Sequence, residues 1–491
     1  MATGRGGSRP DGEPRGRAWS TPPVRGDDPE RWSGAAVRSG GPERRSGGRP
    51  AGPGGGGGQD RAPRKGVTVG RLRVGLVCGH FDPARDGVAD YTRHLAGGLR
   101  AGGCEALVCT ARRYAGTRTE EVVGVTDGWG VPGVLRAARI LARLSLDVVH
   151  VQFAPSAFGF SRAVGLLPLL LPAGVPVVAT LHEYGVWTAD GVGGPLRAAA
   201  WSAAERRWGV DRETLALTRR AARLLVTAPE HAEVVAARCP GREAAFLPIA
   251  SNIPVPRAGR ADPRGALRAR LGLPGDAALV VFFGFLHPVK GLDRLIEALA
   301  AVRRVLPGVR LVLAGGEQSH SVRQEAATAM RRRLEDTARR CGVADAVSVT
   351  GYLPAEEVSG LLQGADAAVF PFDAGVTAKS GSLLAALGHG VPTVATAPPG
   401  VLDRPTEVDG VLRVPPRDTA ALADALLAVL SDRALAARLA AAGPARSAGW
   451  TWSQIAGFHA RTYTELIRGS RPPGARGASG PRAHRGGREG R

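Results

Sequence analysis

From residue 71 onward, short apolar runs alternate with helix-length stretches, and the alternation barely pauses before residue 467. RLRVGLVCG (71–79) opens the series, followed by a helical stretch near 87–102. EALVCT (105–110), LDVVHVQF (146–153), VPVVATLHEY (175–184), RLLVTAP (223–229) and AAFLPIA (244–250) continue it. Short Val-rich runs separated by helical segments predict parallel strands joined by right-handed crossovers. SNIPVPRAGRADPRG (251–265) breaks the rhythm with prolines, glycines and charges, and predicts a domain boundary. The pattern restarts with ALVVFFGFL (278–286), RLVLAGG (310–316), VSVTGYL (347–353), AAVFPF (367–372) and PTVATA (392–397). A long Ala/Leu helical region (418–443) and a helix near 452–467, introduced by Trp450 and Trp452, complete it. The predicted fold is α/β: two doubly wound, Rossmann-like domains facing across a cleft, with ligands at the carboxyl ends of both sheets.

Composition narrows this picture. The chain has 491 residues, 44% hydrophobic but only 5% aromatic, so its cores must be built mainly from Ala, Val and Leu. The net charge of +21 suggests nucleic acid until it is located. Residues 1–68 carry 13 Lys/Arg against 7 Asp/Glu, and 468–491 carry 7 against 1, so the tails hold +12 and the body +9. Both tails are rich in Gly, Pro, Arg and Ser and are expected to be disordered and solvated, with no specific nucleic-acid partner. Five cysteines without a Cys-x-x-Cys pair argue against a zinc site or a disulfide framework and suit a reducing cytoplasm. The apolar run 165–181 spans 17 residues and contains three prolines. It predicts a helix end, a turn and a buried strand rather than a membrane span. The expected location is the cytoplasm, with peripheral contact at the inner face of the membrane.

Candidate chemistry gathers at predicted strand ends. After the first strand, Gly87 stands where a loop turns into a helix, so that N–H groups there face an anion or the glycine serves a tight turn. After VPVVAT come His182, Glu183 and Tyr184, facing the expected cleft. His182 is the candidate catalytic residue, hydrogen-bonding a sugar hydroxyl or a reacting carbonyl; Glu183 is a base or a cap. In FFGFLHPVKGL (282–292), Gly284 precedes a loop and Lys290-Gly291 opens a helix, a cradle for a diphosphate. In FPFDAGVTAKSGSLLAALGHGVPTVAT (370–396), Asp373, Gly375, Lys379, Ser380, Gly381 and Ser382 precede or open another helix, and again suit an anion. The chain has three lysines, Lys65, Lys290 and Lys379, and the two outside the tails stand at these helix starts. Asp86, Tyr91 and Glu183 are candidate acceptor contacts.

The series GVADYTRHLAGGL, TLHEY, FFGFLHPVKGL, GYLPAEEVSGLLQGADAAVFPF and SLLAALGHGVPTVAT resembles the retaining family 4 glycosyltransferases over about residues 71–467. The resemblance implies a GT-B fold: a disordered tail (1–68), an acceptor domain (69–255), a nucleotide-sugar donor domain (256–449), a helix crossing back (450–467) and a second tail (468–491). It also implies retention of configuration, no catalytic metal and no cofactor. The donor would be a UDP-, GDP- or ADP-hexose and the acceptor a carbohydrate, a lipid-linked sugar or a small molecule. On that pattern Gly87 and His182 approach the donor, Lys290 grips the diphosphate and GYLPAEEV (351–358) lies near the base. The chain departs from the family where Phe285 replaces an arginine and where Thr377 and Ala385 replace two glutamates. Those departures imply a different phosphate grip by residues 379–382, and they keep a non-catalytic sugar-binding scaffold and a sugar-nucleotide epimerase as alternatives.

Overall fold

The computed structural model describes residues 72–116, 121–185, 195–256, 277–316, 324–377 and 379–470, together with 269 and 272. Most of both expected tails therefore lies outside the described residues. So do 257–268, most of the expected boundary segment. Residues 468–470, assigned above to the second tail, instead end the last helix.

The first sheet contains β1 (Arg73–Cys78), β2 (Glu105–Ala111), β3 (Val122–Thr126), β4 (Val148–Phe153), β5 (Val177–Leu181), β6 (Arg223–Val226) and β7 (Ala244–Phe246), in the order β3-β2-β1-β4-β5-β6-β7. The second contains β8 (Leu279–Phe283), β9 (Arg310–Ala314), β10 (Val347–Gly351), β11 (Ala367–Phe370), β12 (Thr393–Thr396), β13 (Thr406–Val408) and β14 (Val411–Val414). Its order, β10-β9-β8-β11-β12-β14-β13, repeats the first except at the far edge, where β13 and β14 pair antiparallel. Every other pairing is parallel, as the crossovers required.

Three strands and one helical region differ from the expected series. β3 went unread because it is half-buried and holds Gly124, so its apolar signal is weak. β13 and β14 are joined at Asp409-Gly410, both with positive φ (52° and 72°), which is the conformation a two-residue hairpin demands. The expected helical region 418–443 is two helices, Thr419–Ser431 and Arg433–Ser447. They are separated by Asp432, whose carboxylate accepts from the N–H groups of Ala434 and Leu435.

Alternation along the central strands decides what each face packs. Val148 faces the cluster formed with helix Gly87–Ala101 and the C-terminal helix Trp452–Ser470, while Val149, Val151 and Phe153 face the opposite cluster. By the same period, His150 and Gln152 join Val148, and Thr180 and His182 join Val178. A polar stripe therefore lies inside an otherwise apolar layer. The two helices over it approach closely at Gly98, where a Cβ would lie 2.8 Å from that of Ala456. The apolar run 165–181 resolves into the short helix Leu167–Leu170 and β5. No helix among the described residues is long and apolar enough to cross a membrane.

Candidate functional site

In both sheets the strand order switches sides at the first strand, between β1 and β4 and between β8 and β11, while the strands stay parallel. Loops at the carboxyl ends splay apart there and leave a crevice. A cavity of about 690 Å³ occupies this position, with one wall from each sheet's loops. Of the expected site residues, all but Gly291, Asp373 and Tyr184 line it.

The second-sheet wall is made largely of backbone. The Gly284 N–H donates to Ala314 O (2.9 Å), that of Leu286 to Gly316 O (3.0 Å) and that of Gly315 to Gly351 O (3.0 Å). These bonds stitch the loops after β8, β9 and β10 into one surface. Beside it, Pro288–Lys290 forms a single 3-10 turn, and Gly291 starts helix Leu292–Val305 with φ +65°. A Cβ on Gly291 would lie 2.1 Å from Pro371 O, so glycine is needed for space as well as conformation. The turn is held from behind. Asp373 donates its N–H to Val289 O (2.9 Å), and its carboxylate pairs with Arg294. Asp373, expected among the phosphate contacts, therefore supports the lysine turn instead.

Lys290 Nζ stands 3.6 Å from the Phe372 ring centroid, so an aromatic face rather than a carboxylate receives it. Burial, with Lys379 adding to it, lowers its pKa to about 8. Lys379 precedes Ser380, which caps helix Gly381–Gly388 by accepting from the Leu383 N–H (3.3 Å). Neither lysine has an ion-pair partner among the described residues. Two ammonium groups and a helix start thus converge on one wall, with no carboxylate in ion-pair contact among the described residues; an acidic influence on Lys379 comes from Glu183 on the facing wall.

The first-sheet wall is chemically different. Asp86 caps helix Gly87–Ala101, its Oδ1 accepting from Val88 N–H (2.7 Å) and Ala89 N–H (2.9 Å). Those two N–H groups, expected to face an anion, are therefore occupied. His182 is nearly enclosed and hydrogen-bonds Gln152 Oε1 through Nε2 (2.9 Å). Burial first, then Lys379, His231 and His459, lower its pKa to about 3, so it is neutral at pH 7. Burial raises the Glu183 carboxyl and Asp86 adds to this, while Lys379 and a hydrogen bond with Ser156 oppose it.

Tyr91, expected to touch an acceptor, uses its hydroxyl within the protein, 3.4 Å from His459 Nε2, and sets its ring edge-on to His182 (4.6 Å). Tyr184, expected at the cleft, turns away and donates to Asp211 (2.8 Å). Sequence reasoning missed Gly315, Gly316, Phe372 and Gln152. The paired glycines at a strand end were a visible signal, and so was the polar alternation His150/Gln152 inside an apolar strand. No group of three or more His, Cys, Asp or Glu side chains arranged to hold a metal occurs among the described residues.

Residues 86–250 match the family described as "Glycosyl transferase 4-like domain", and 277–432 match "Glycosyl transferases group 1". D-inositol 3-phosphate glycosyltransferase of Xylanimonas cellulosilytica is 37% identical over 211 residues, 42% of this chain and 46% of that protein. The match to its Stackebrandtia nassauensis counterpart, 31% identical, covers 45% of that protein, so the chain spans about half the length of these relatives. The GDP-mannose-dependent alpha-(1-6)-phosphatidylinositol monomannoside mannosyltransferase of Mycobacterium tuberculosis is 27% identical over 78% of this chain and 96% of its own. Among solved structures, sucrose-phosphate synthase of Thermosynechococcus elongatus superposes with a TM-score of 0.62 at 22% identity, covering 81% of this chain and 100% of its own. Anabaena HepE in complex with UDP and glucose gives 0.59 at 17% identity, covering 80% and 100%. At these identities the likeness is one of fold.

Proposed function

Because the chain belongs to the group 1 glycosyltransferases and has their GT-B fold, we propose that it moves a hexosyl group from a nucleoside diphosphate sugar to a carbohydrate, lipid-linked or small-molecule acceptor. The observation that carries this reading is the second-sheet wall, where Lys290 and Lys379 face one cavity with no carboxylate of their own. A departing diphosphate is the ligand whose charge grows as the reaction proceeds, so preorganised cations stabilise the transition state more than the ground state. The second domain holds the donor and the first presents the acceptor. The N–H groups at the start of helix Gly381–Gly388 add to the phosphate grip. They do so near Thr377 and Ala385, where the family's glutamates are absent.

No side chain is assigned as general base. His182 is neutral with a pKa lowered to about 3, which makes it a weak proton acceptor, so we give it an orienting role. Departure of the diphosphate with the incoming hydroxyl on the same face of the sugar retains configuration. The two lysines provide the neutralisation for which other transferases use a metal. Of the relatives, the mannosyltransferase is by its name GDP-mannose-dependent and HepE was solved with UDP. The test is therefore run with UDP-, GDP- and ADP-hexoses, following nucleoside diphosphate release with and without added sugar acceptors. Acceptor-dependent release with one nucleotide class, abolished in Lys290→Ala, is the expected result. Release without any acceptor would favour an epimerase, and no release from any donor would overturn the transferase reading.

A further inference from the structure

We propose that Gln152 is the positioning residue that sets the hydrogen-bonding polarity of His182. Its side-chain oxygen holds the imidazole as the Nε2–H tautomer, so that Nδ1 meets the substrate as an acceptor. The strands arrange this juxtaposition. Gln152 on β4 registers against Thr180 on β5, and His182 follows two residues later on the same face. His182 is further fixed by its own N–H, which donates to Phe153 O (2.8 Å).

The contact between Gln152 Oε1 and His182 Nε2 is 2.9 Å long, and Gln152 has no exposed surface. An amide oxygen only accepts, so Nε2 must carry the proton. The imidazole is neutral at pH 7, and its second nitrogen is then a lone pair. Nδ1 makes no hydrogen bond among the described residues, while His182 lines the cavity. Tyr91, edge-on at 4.6 Å, restrains the ring plane.

If the cavity takes a sugar nucleotide, as proposed above, the consequence is specific. His182 accepts a hydrogen bond from a sugar hydroxyl. It neither donates to a phosphate oxygen nor protonates the leaving group. A reversed amide would present its NH₂ to Nε2, move the proton to Nδ1 and make His182 a donor.

The test uses the full-length protein with ¹⁵N-labelled histidine. Two-bond proton–nitrogen correlations report the tautomer of each of the ten imidazoles, and loss of a pattern in His182→Asn identifies the relevant one. The expected pattern is protonated Nε2 with bare Nδ1, retained in Gln152→Glu, which keeps the accepting oxygen. A proton on Nδ1 of the wild type, or a tautomer that changes in Gln152→Glu, overturns the proposal. Gln152→Leu is expected to lower kcat by roughly tenfold with little change in donor KM, and Gln152→Glu to restore part of the loss with a shifted acid limb in the pH profile. If the Leu variant does not fold, the wild-type and Glu spectra still decide. The tautomer is read without turnover, so a failed transferase reading and a failed tautomer assignment give separate results.

Discussion

The two walls of the cavity stand on sheets of almost the same strand order, yet they handle charge in opposite ways. The second-sheet wall is stitched backbone carrying two ammonium groups that have no ion-pair partner among the described residues, open to an arriving anion. The first-sheet wall buries its titratable groups. His182 leans on Gln152, Tyr91 reaches His459, and His150 bridges Thr180 (2.8 Å) and Tyr463 of the C-terminal helix (2.6 Å). One wall is poised to bind charge; the other depends on staying neutral. A common scaffold thus gives each loop set its own electrostatic task, and the contrast can be broken from either side.

Acid is expected to have the largest effect, and to fall on the first wall. Burial holds His182 and His459 near about 3 and His231 near about 4, with His150 also well below its ordinary value. Unfolded imidazoles titrate near about 6.5, so below that pH the unfolded chain binds more protons and stability falls as pH drops. At pH 5 each such group costs on the order of 2 kcal/mol, and urea titrations between pH 7 and 5 should show the midpoint falling steeply. A flat profile would mean that the histidines are not held neutral.

On the second wall, Lys290→Ala should lower kcat/KM by about 10²–10³-fold, or roughly 3–4 kcal/mol in the barrier, while its urea midpoint stays near that of the wild type. Gly291→Ala attacks the support rather than the charge. With φ +65° and Pro371 O at 2.1 Å from the added carbon, it should cost on the order of 2 kcal/mol of stability and displace the lysine turn. Denaturant unfolding alongside diphosphate binding separates those two effects. The smallest effect is that of base. The lysine's pKa of about 8 means that raising pH from 7 to 9 removes its charge in the empty site. Diphosphate affinity should then weaken by about tenfold in the wild type, and this part of the pH dependence should be missing in Lys290→Ala.

How far these walls were legible from sequence follows the same division. Strand period and glycine placement are local signals. They marked both sheets, the Gly284 loop and the Lys290 turn, and the rarity of lysine singled out Lys290 and Lys379. His459 and Tyr463 were not legible as partners, because His150 and Tyr463 lie 313 positions apart and meet only when the last helix packs on the first sheet. Asp373 and Tyr184 show the converse. Each sat at a strand end beside true cavity residues, but a nearby Arg294 or Asp211 drew its side chain away. The hairpin at Asp409-Gly410 was present as a sequence signal and was masked by its position beyond the regular crossover rhythm.

The central claim, that the second wall is a diphosphate site built on two lysines, is tested most directly by thermal protection. The wild type, Lys290→Ala and Lys379→Ala are heated with UDP, GDP and ADP at neutral pH, since a ligand that binds only the folded state raises the melting temperature. Protection of the wild type by one nucleotide class, reduced in both variants, is the predicted result. Equal protection of all three proteins would contradict the account, as would a cooperatively melting wild type that no nucleoside diphosphate protects.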